Sequence, residues 1–204
     1  METSLGLFLL SATAISYTGV MFPGPMTAAT ISKGYSDKHA GARIAVGHAV
    51  IEIPLIVAIY FGFGRFISSP RVIDIIYIVG GLALLYLGFR MFRSNYHAPG
   101  KVAGLPNSSL VTGIVITGTN PAFYIWWMTV GAALIVSAAE FGFIGIILFI
   151  LVHWPSDLIW SEFLSEAIFK SRKWWTQKVQ RIVFGACGFI LIGFGITFCL
   201  FAFL

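Results

Sequence analysis

The chain has 204 residues, of which 58% are hydrophobic and only 10% are charged, and its mean hydropathy is +0.90. A soluble domain carries about 25% charged residues, so this composition excludes a soluble globular protein and predicts an all-α integral membrane protein. Because a membrane-spanning helix needs about 20 apolar residues, the length allows about six transmembrane helices and no separate soluble domain.

The formal net charge is +5, and most of the basic residues lie in three short segments, 33–43, 90–101 and 170–181. Cytoplasmic loops of membrane proteins carry an excess of Lys and Arg, so we assign these segments to the cytoplasmic side. This assignment places both termini outside a cell membrane that the chain crosses several times. The charge therefore reports topology in a lipid bilayer, and no nucleic-acid partner is expected.

The first predicted span covers about residues 5–31 and is interrupted at Pro23, Gly24 and Pro25. Two prolines remove two backbone donors, and the glycine between them adds freedom, so a continuous α-helix cannot pass through this motif. In a bilayer, such a break is tolerated only where the freed backbone groups face other protein or a water-filled cavity. Hydroxyl side chains that can bond their own helix or a neighbouring one precede it, at Ser11, Thr13, Ser16 and Thr18.

A second break is predicted in the fourth span, where Thr119 and Asn120 precede Pro121. Paired, proline- or glycine-interrupted hydrophobic segments in two halves of a chain indicate the binding site of a transporter. The sequence therefore predicts that the first and fourth helices are both broken and that the breaks mark one site.

Between the halves lies a turn-rich stretch, 94–109, which is predicted to be a cytoplasmic linker. It would separate a first three-helix repeat, 1–93, from a second, 110–204, within a single membrane domain, 1–204. Two like halves with an odd number of spans must lie upside down relative to each other, so we predict an inverted repeat.

Each half also carries a histidine and an acid four residues apart, His48 with Glu52 and His153 with Asp157. At 3.6 residues per turn, each pair lies on one face of its helix. A carboxylate near the middle of a bilayer costs several kcal/mol unless it is paired, protonated or hydrated, so these residues are functional candidates.

Three roles stay open for the two pairs. A buried acid could load and release a proton during a transport cycle. The carboxylates could neutralise the ammonium group of a substrate. Alternatively, His48, Glu52, His153 and Asp157 could ligate a transition metal, because imidazole and carboxylate suit ions such as Zn, Mn, Fe or Ni.

The helix breaks offer the complementary chemistry. A half-helix that begins after Pro25 or Pro121 presents N–H groups and a positive dipole end, which suit a carboxylate or another anion. Thr27, Thr119 and Asn120 add polar side chains at the same places. Breaks that favour an anion and acids that favour a cation together predict a site for a zwitterion, such as an amino acid.

These residues give the chain a resemblance to the lysine exporter (LysE/RhtB-type) family of amino-acid exporters. Pro23-Gly24-Pro25 resembles the signature of that family in the first helix, and Thr119-Asn120-Pro121 resembles its Asn-Pro signature in the fourth. Further matches are Gly34-Tyr35 and Ala40-Gly41-Ala42 in the first loop and Asp157 in the fifth helix. Met26 and Ala122 depart from the pattern, since many members have a polar residue and a lysine there.

The resemblance implies efflux of a small solute from the cytoplasm, driven by the proton motive force, by a protein that forms a homodimer. We therefore predict a secondary transporter that exports an amino acid or a similar small zwitterion, with no enzymatic activity and no cofactor. A divalent transition-metal exporter is the first alternative. A membrane enzyme or assembly subunit is the second, and the sequence disfavours it because it contains no nucleophile–base pair, phosphate loop or redox pair.

Overall fold

The computed structural model describes residues 4–64, 69–92 and 105–203, and for residues 90–92 it describes the backbone alone. All regular structure in these residues is helical. The helices are α1 (Leu5–Val20), α2 (Pro25–Gly34), α3 (Ala40–Tyr60), α4 (Pro70–Phe92), α5 (Ser109–Gly118), α6 (Pro121–Trp126), α7 (Ala132–Ala139), α8 (Gly142–Ser171) and α9 (Gln177–Phe201). A π-helical turn, Trp127–Gly131, joins α6 to α7, and a 3₁₀ turn, Arg172–Trp174, follows α8.

Five continuous helical stretches in the described residues are long and apolar enough to cross a membrane. The bent pair α1 and α2 supplies a sixth when it is counted as one broken span. The prediction of an all-α, six-helix integral membrane protein is therefore confirmed.

The first break lies where the prolines predict it. Helix α1 ends at Val20, α2 begins at Pro25, and their axes differ in direction by 73°. Pro25 occupies the first helical position, where its missing N–H costs nothing, and Gly24 precedes it as the N-cap. The Thr27 hydroxyl donates to the Phe22 carbonyl oxygen at 3.1 Å and so bridges the broken turn.

The second break, between α5 and α6, is closed by local hydrogen bonds. Asn120 caps α6, because its Oδ1 accepts a bond from the Ala122 N–H at 3.2 Å, and the Thr119 hydroxyl donates to the Val115 carbonyl at 2.7 Å. Helix α4 packs directly on this break. A Cβ placed on Gly80 would lie 2.5 Å from the carbonyl oxygen of Thr119.

Small residues bring α3 against both α5 and α8. A Cβ on Gly47 would lie 2.1 Å from the carbonyl oxygen of Leu110, and one on Gly41 would lie 1.9 Å from that of Ser161. Only a residue without a side chain permits such approaches between helix backbones. As a result, α3, which carries His48 and Glu52, packs against both α5 and α8 of the second half.

Helices α4 and α9 form the other close pair. A Cβ on Gly195 would lie 2.9 Å from the carbonyl oxygen of Gly81, so the two helix backbones approach closely there. Gly193 differs, because a Cβ there would meet nothing within 4 Å.

The first basic segment corrects one boundary. The sequence places Lys33 in a cytoplasmic loop, yet α2 continues to Gly34 and Lys33 is buried. Its ammonium group donates to the carbonyl oxygens of Pro106 and Asn107, which precede α5. A buried cation is tolerated when it is hydrogen-bonded, and here two carbonyls supply the acceptors.

The predicted linker falls largely outside the described residues, since 93–104 are not among them. Its last residue, Ser109, is the first residue of α5. The division into repeats 1–93 and 110–204 stays a prediction.

Candidate functional site

The candidate site is built around Glu52, which is almost completely buried on α3. His48 lies one turn earlier on the same helix, and its Nε2 is 2.9 Å from Glu52 Oε1. The spacing of four residues thus produces the contact that the sequence predicts within this pair.

The second pair behaves differently. His153 on α8 hydrogen-bonds to Glu52 Oε1 at 3.2 Å, whereas its Nε2 is 3.8 Å from Asp157 Oδ2 on its own helix. Asp157 Oδ1 in turn lies 3.9 Å from His48 Nε2. The two pairs that the sequence presents separately therefore form one cluster across α3 and α8, in which Glu52 Oε1 is hydrogen-bonded to both histidines.

A hydroxyl group holds the far side of each imidazole. Thr117 Oγ1, at the end of α5, is 2.8 Å from His48 Nδ1, and Ser16 Oγ, on α1, is 2.6 Å from His153 Nδ1. The cluster therefore connects helices from both halves of the chain. The sequence marks Ser16 only as one of several hydroxyls in the first span, and nothing in it marks Thr117 as a site residue.

The contacts of Ser16 indicate which nitrogen of His153 carries a hydrogen. Ser16 also donates to the Ala12 carbonyl oxygen at 2.6 Å, and it has a single hydrogen to donate. Both contacts are satisfied when His153 Nδ1–H donates to Ser16 Oγ. The bond between His153 Nε2 and Glu52 Oε1 then needs a second hydrogen, which a proton shared between His153 and Glu52, as imidazolium–carboxylate or imidazole–carboxylic acid, would supply.

A cavity of about 410 Å³ opens beside this cluster. Most of the predicted site residues line it, namely Gly24, Pro25, Thr27, His48, Glu52, Asn120, His153 and Asp157. Pro23, Thr119 and Pro121 do not. Pro23 is exposed, and Pro121 packs on α4 beside Gly80.

Four buried side-chain atoms in the described residues have no hydrogen-bond partner, and all four belong to residues that line this cavity. They are Thr30 Oγ1, Glu52 Oε2, Asp157 Oδ2 and Trp160 Nε1. A buried polar group without a partner costs about 1–3 kcal/mol. The cavity wall therefore offers two carboxylate oxygens, a hydroxyl and an N–H donor to whatever occupies it.

Trp126 is a further cavity residue, which is not among the site residues predicted from the sequence. Its ring stacks on the His153 imidazole, with centroids 5.6 Å apart and an interplanar angle of 26°. Gly19 makes room for it, since a Cβ there would lie 3.0 Å from the indole nitrogen. The neighbouring Trp127 also lines the cavity, although it is only 1% exposed. One signal in the sequence was the position of Trp126, shortly after the Asn-Pro break.

The charges around the cavity have one sign apart from the histidines. No Lys or Arg is among the described residues that line it. Ligand atoms of His48, Glu52 and Asp157 all lie within 4.8 Å of one another, so they converge on one point. Such a cluster can accept a single cationic group, either an ammonium or a metal ion.

Comparison with known proteins agrees with this architecture. Residues 17–201 match the model of the LysE type translocator family, so the chain belongs to that family. It is accordingly a multi-pass membrane protein of a translocator family, and the resemblance seen in the sequence is confirmed.

One relative also matches over most of its length. The “Putative amino acid efflux protein YcgF” of Bacillus subtilis (strain 168) is 25% identical over 182 residues, which cover 86% of this chain and 87% of the relative. No solved structure gives a significant match. Met26 and Ala122, the departures from the family pattern, both line the cavity.

Proposed function

We propose that this protein exports an amino acid or a similar small zwitterion from the cytoplasm in exchange for protons. The observation that carries the proposal is the pair of buried carboxylates, Glu52 and Asp157, each with an oxygen that lacks a partner, at a cavity whose described lining contains no lysine or arginine. The name of the relative, “Putative amino acid efflux protein YcgF”, supports the same class of substrate.

Asp157 is the acid that we assign to the ammonium group of the substrate. It is buried, and neither histidine approaches it closer than 3.8 Å. A desolvated carboxylate gains most from a cationic partner, because water no longer competes for its oxygens. An ammonium group beside Asp157 Oδ2 would supply that partner.

The start of α2 is the group that we assign to the carboxylate of the substrate. The N-cap residue, Gly24, has no side chain to satisfy the first N–H groups of the helix. Helix N-termini bind anions through such N–H groups and through the helix dipole. Met26 and Thr27, in the first turn, both line the cavity.

We assign proton coupling to Glu52 and His153, with His48 as the second donor to Glu52. A proton shared between Glu52 and His153 would satisfy the hydrogen-bond contacts of Ser16 and His153 together. A proton held there could be released when the cavity faces the other side of the membrane, which is the requirement for exchange with a substrate. In this scheme, the histidines and Glu52 couple proton movement to transport, while Asp157 binds the ammonium group of the substrate.

The setting of this cycle extends the proposal. We propose that the protein lies in the cell membrane with both termini outside, as the basic segments indicate, and that its halves form an inverted repeat. A homodimer is the assembly that the family resemblance implies.

The testing experiment is efflux from proteoliposomes under an imposed pH gradient. The vesicles would be loaded in turn with pooled labelled amino acids and with Mn²⁺, Zn²⁺ or Ni²⁺. We expect gradient-dependent loss of amino acids, abolished in both Glu52→Gln and Asp157→Asn. Glu140→Gln, at an exposed acid in the turn before α8, is the matched control and should retain activity. Full activity in Glu52→Gln or Asp157→Asn would refute the assignment.

A divalent transition-metal ion is the second candidate substrate, because ligand atoms of His48, Glu52 and Asp157 converge within 4.8 Å. Imidazole and carboxylate suit such ions. Loss of metal alone from the vesicles, abolished by His48→Ala combined with His153→Ala, would establish this alternative. Membership of a translocator family favours transport over the enzyme or assembly-subunit alternative.

A further inference from the structure

The cavity has an apolar wall made by helices other than those that carry the acids. Phe22 at the first break, Met26 on α2, Trp126 on α6 and Phe194 on α9 all line it. The rings of Phe22 and Phe194 meet edge to face, with centroids 6.1 Å apart. Apolar side chains from four separate segments thus line the same cavity as the acid cluster.

The acids cannot serve two separated cations. Ligand atoms of His48, Glu52 and Asp157 lie within 4.8 Å of one another, and no other acid lines the cavity among the described residues. The two ammonium groups of an extended diamino acid are farther apart than this cluster. A second ammonium would therefore be buried without a counter-ion, at a cost of several kcal/mol.

The size of the cavity argues against a small substrate. At about 410 Å³ it lies within the range of sites for drug-sized ligands, about 300–1,000 Å³. A small amino acid would leave the apolar wall in contact with water, whereas a large side chain would cover it. Covering apolar surface contributes about 25 cal/mol per Å².

We infer that the substrate is an amino acid with a bulky apolar side chain, aromatic or branched, whose α-ammonium group lies on the acid cluster. This inference rests on the proposed function and narrows it. Phe22, Met26, Trp126 and Phe194 would determine specificity by packing against the substrate side chain.

Comparison of single amino acids in the proteoliposome assay tests this specificity. Efflux would be measured separately for labelled Phe, Leu, Lys, Arg, Ser and Ala. We expect transport of Phe and Leu at an apparent affinity about tenfold or more above that of Lys, Arg or Ser. Preferred transport of Lys or Arg would overturn the inference, and so would preferred transport of Ser or Ala.

Phe194→Ala tests the apolar wall directly. The change removes an aromatic surface from the cavity, so the apparent affinity for Phe should fall about tenfold while that for Ala changes less than about twofold. Phe189→Ala is the matched control, since Phe189 lies on the same helix and is 72% exposed. Equal losses for Phe and Ala in Phe194→Ala would show a general defect and would contradict a side-chain subsite.

Thermal stabilisation of the detergent-solubilised protein by the same amino acids supplies a second readout, because a ligand that binds the folded state raises the melting temperature. Stabilisation or transport by Lys or Ser in preference to Phe would leave the proposed function intact and refute this inference. Neither stabilisation nor transport by any amino acid would refute both.

Discussion

The two histidine–acid pairs are alike in sequence but differ in the structure. Glu52 hydrogen-bonds to both histidines through one oxygen, whereas Asp157 lies 3.8 Å or more from each of them. Both acids are buried, and each keeps one oxygen without a partner. We propose that Glu52 shares a proton with its histidines, whereas Asp157, which has no close donor, binds the ligand.

The two helix breaks show a parallel difference. Gly24 leaves the start of α2 without a side-chain cap, and Asn120 caps the start of α6 with its own amide oxygen. The first break therefore presents N–H groups that a ligand can use. The second is closed on itself and packs on α4.

The largest expected effect comes from separating the roles of the acids with Glu52→Gln. Glutamine keeps the shape of the side chain but cannot carry a proton between states, so gradient-driven export should fall to background. Exchange of labelled for unlabelled substrate across the vesicle membrane, without a gradient, should persist. Loss of exchange together with export would contradict a pure coupling role for Glu52.

Asp157→Asn should affect binding rather than coupling. Loss of a desolvated charge opposite an ammonium group costs about 2–5 kcal/mol, so the apparent affinity should fall about thirtyfold or more. Exchange and export should both require a correspondingly higher substrate concentration than in the unmodified protein. An unchanged affinity in exchange would show that Asp157 does not face the substrate.

Ser16→Ala should have an intermediate effect. The change leaves the Nδ1–H of His153 without an acceptor, at a cost of about 1–3 kcal/mol, so gradient-driven export should slow about tenfold while exchange changes little. Thr13→Ala is the matched control, because Thr13 also donates to the backbone of α1, to Leu9, and does not line the cavity. Equal effects of the two changes would show that only helix stability had altered.

The smallest effect should come from the breaks themselves. Asn120→Ala removes the cap of α6 and should lower stability by about 1 kcal/mol, seen as a lower melting temperature in detergent. Gly24→Ala should leave the melting temperature unchanged, since φ is −140° and the nearest heavy atom to a Cβ lies 3.8 Å away. A larger drop in melting temperature for Gly24→Ala than for Asn120→Ala would contradict the difference proposed between the two breaks.

Some features of the site follow from short stretches of sequence. Pro23 and Pro25 break the first helix wherever that helix lies, because a missing backbone donor is a local property. The spacing of His48 and Glu52 likewise predicts their contact, which needs only one helical turn. The overall composition predicts the membrane, since it depends on the amount of apolar surface rather than on its arrangement.

The tertiary structure decided the features that depend on which helices meet. His153 hydrogen-bonds to Glu52 across the interface between α3 and α8, which approach closely at Gly41 and Ser161. Ser16, Thr117 and Trp126 join the site because α1, α5 and α6 bring them to the two histidines. Spans that are apolar on every side carry little periodic signal of their neighbours, so the sequence predicted the helices and the breaks, while packing at small residues determined the cluster.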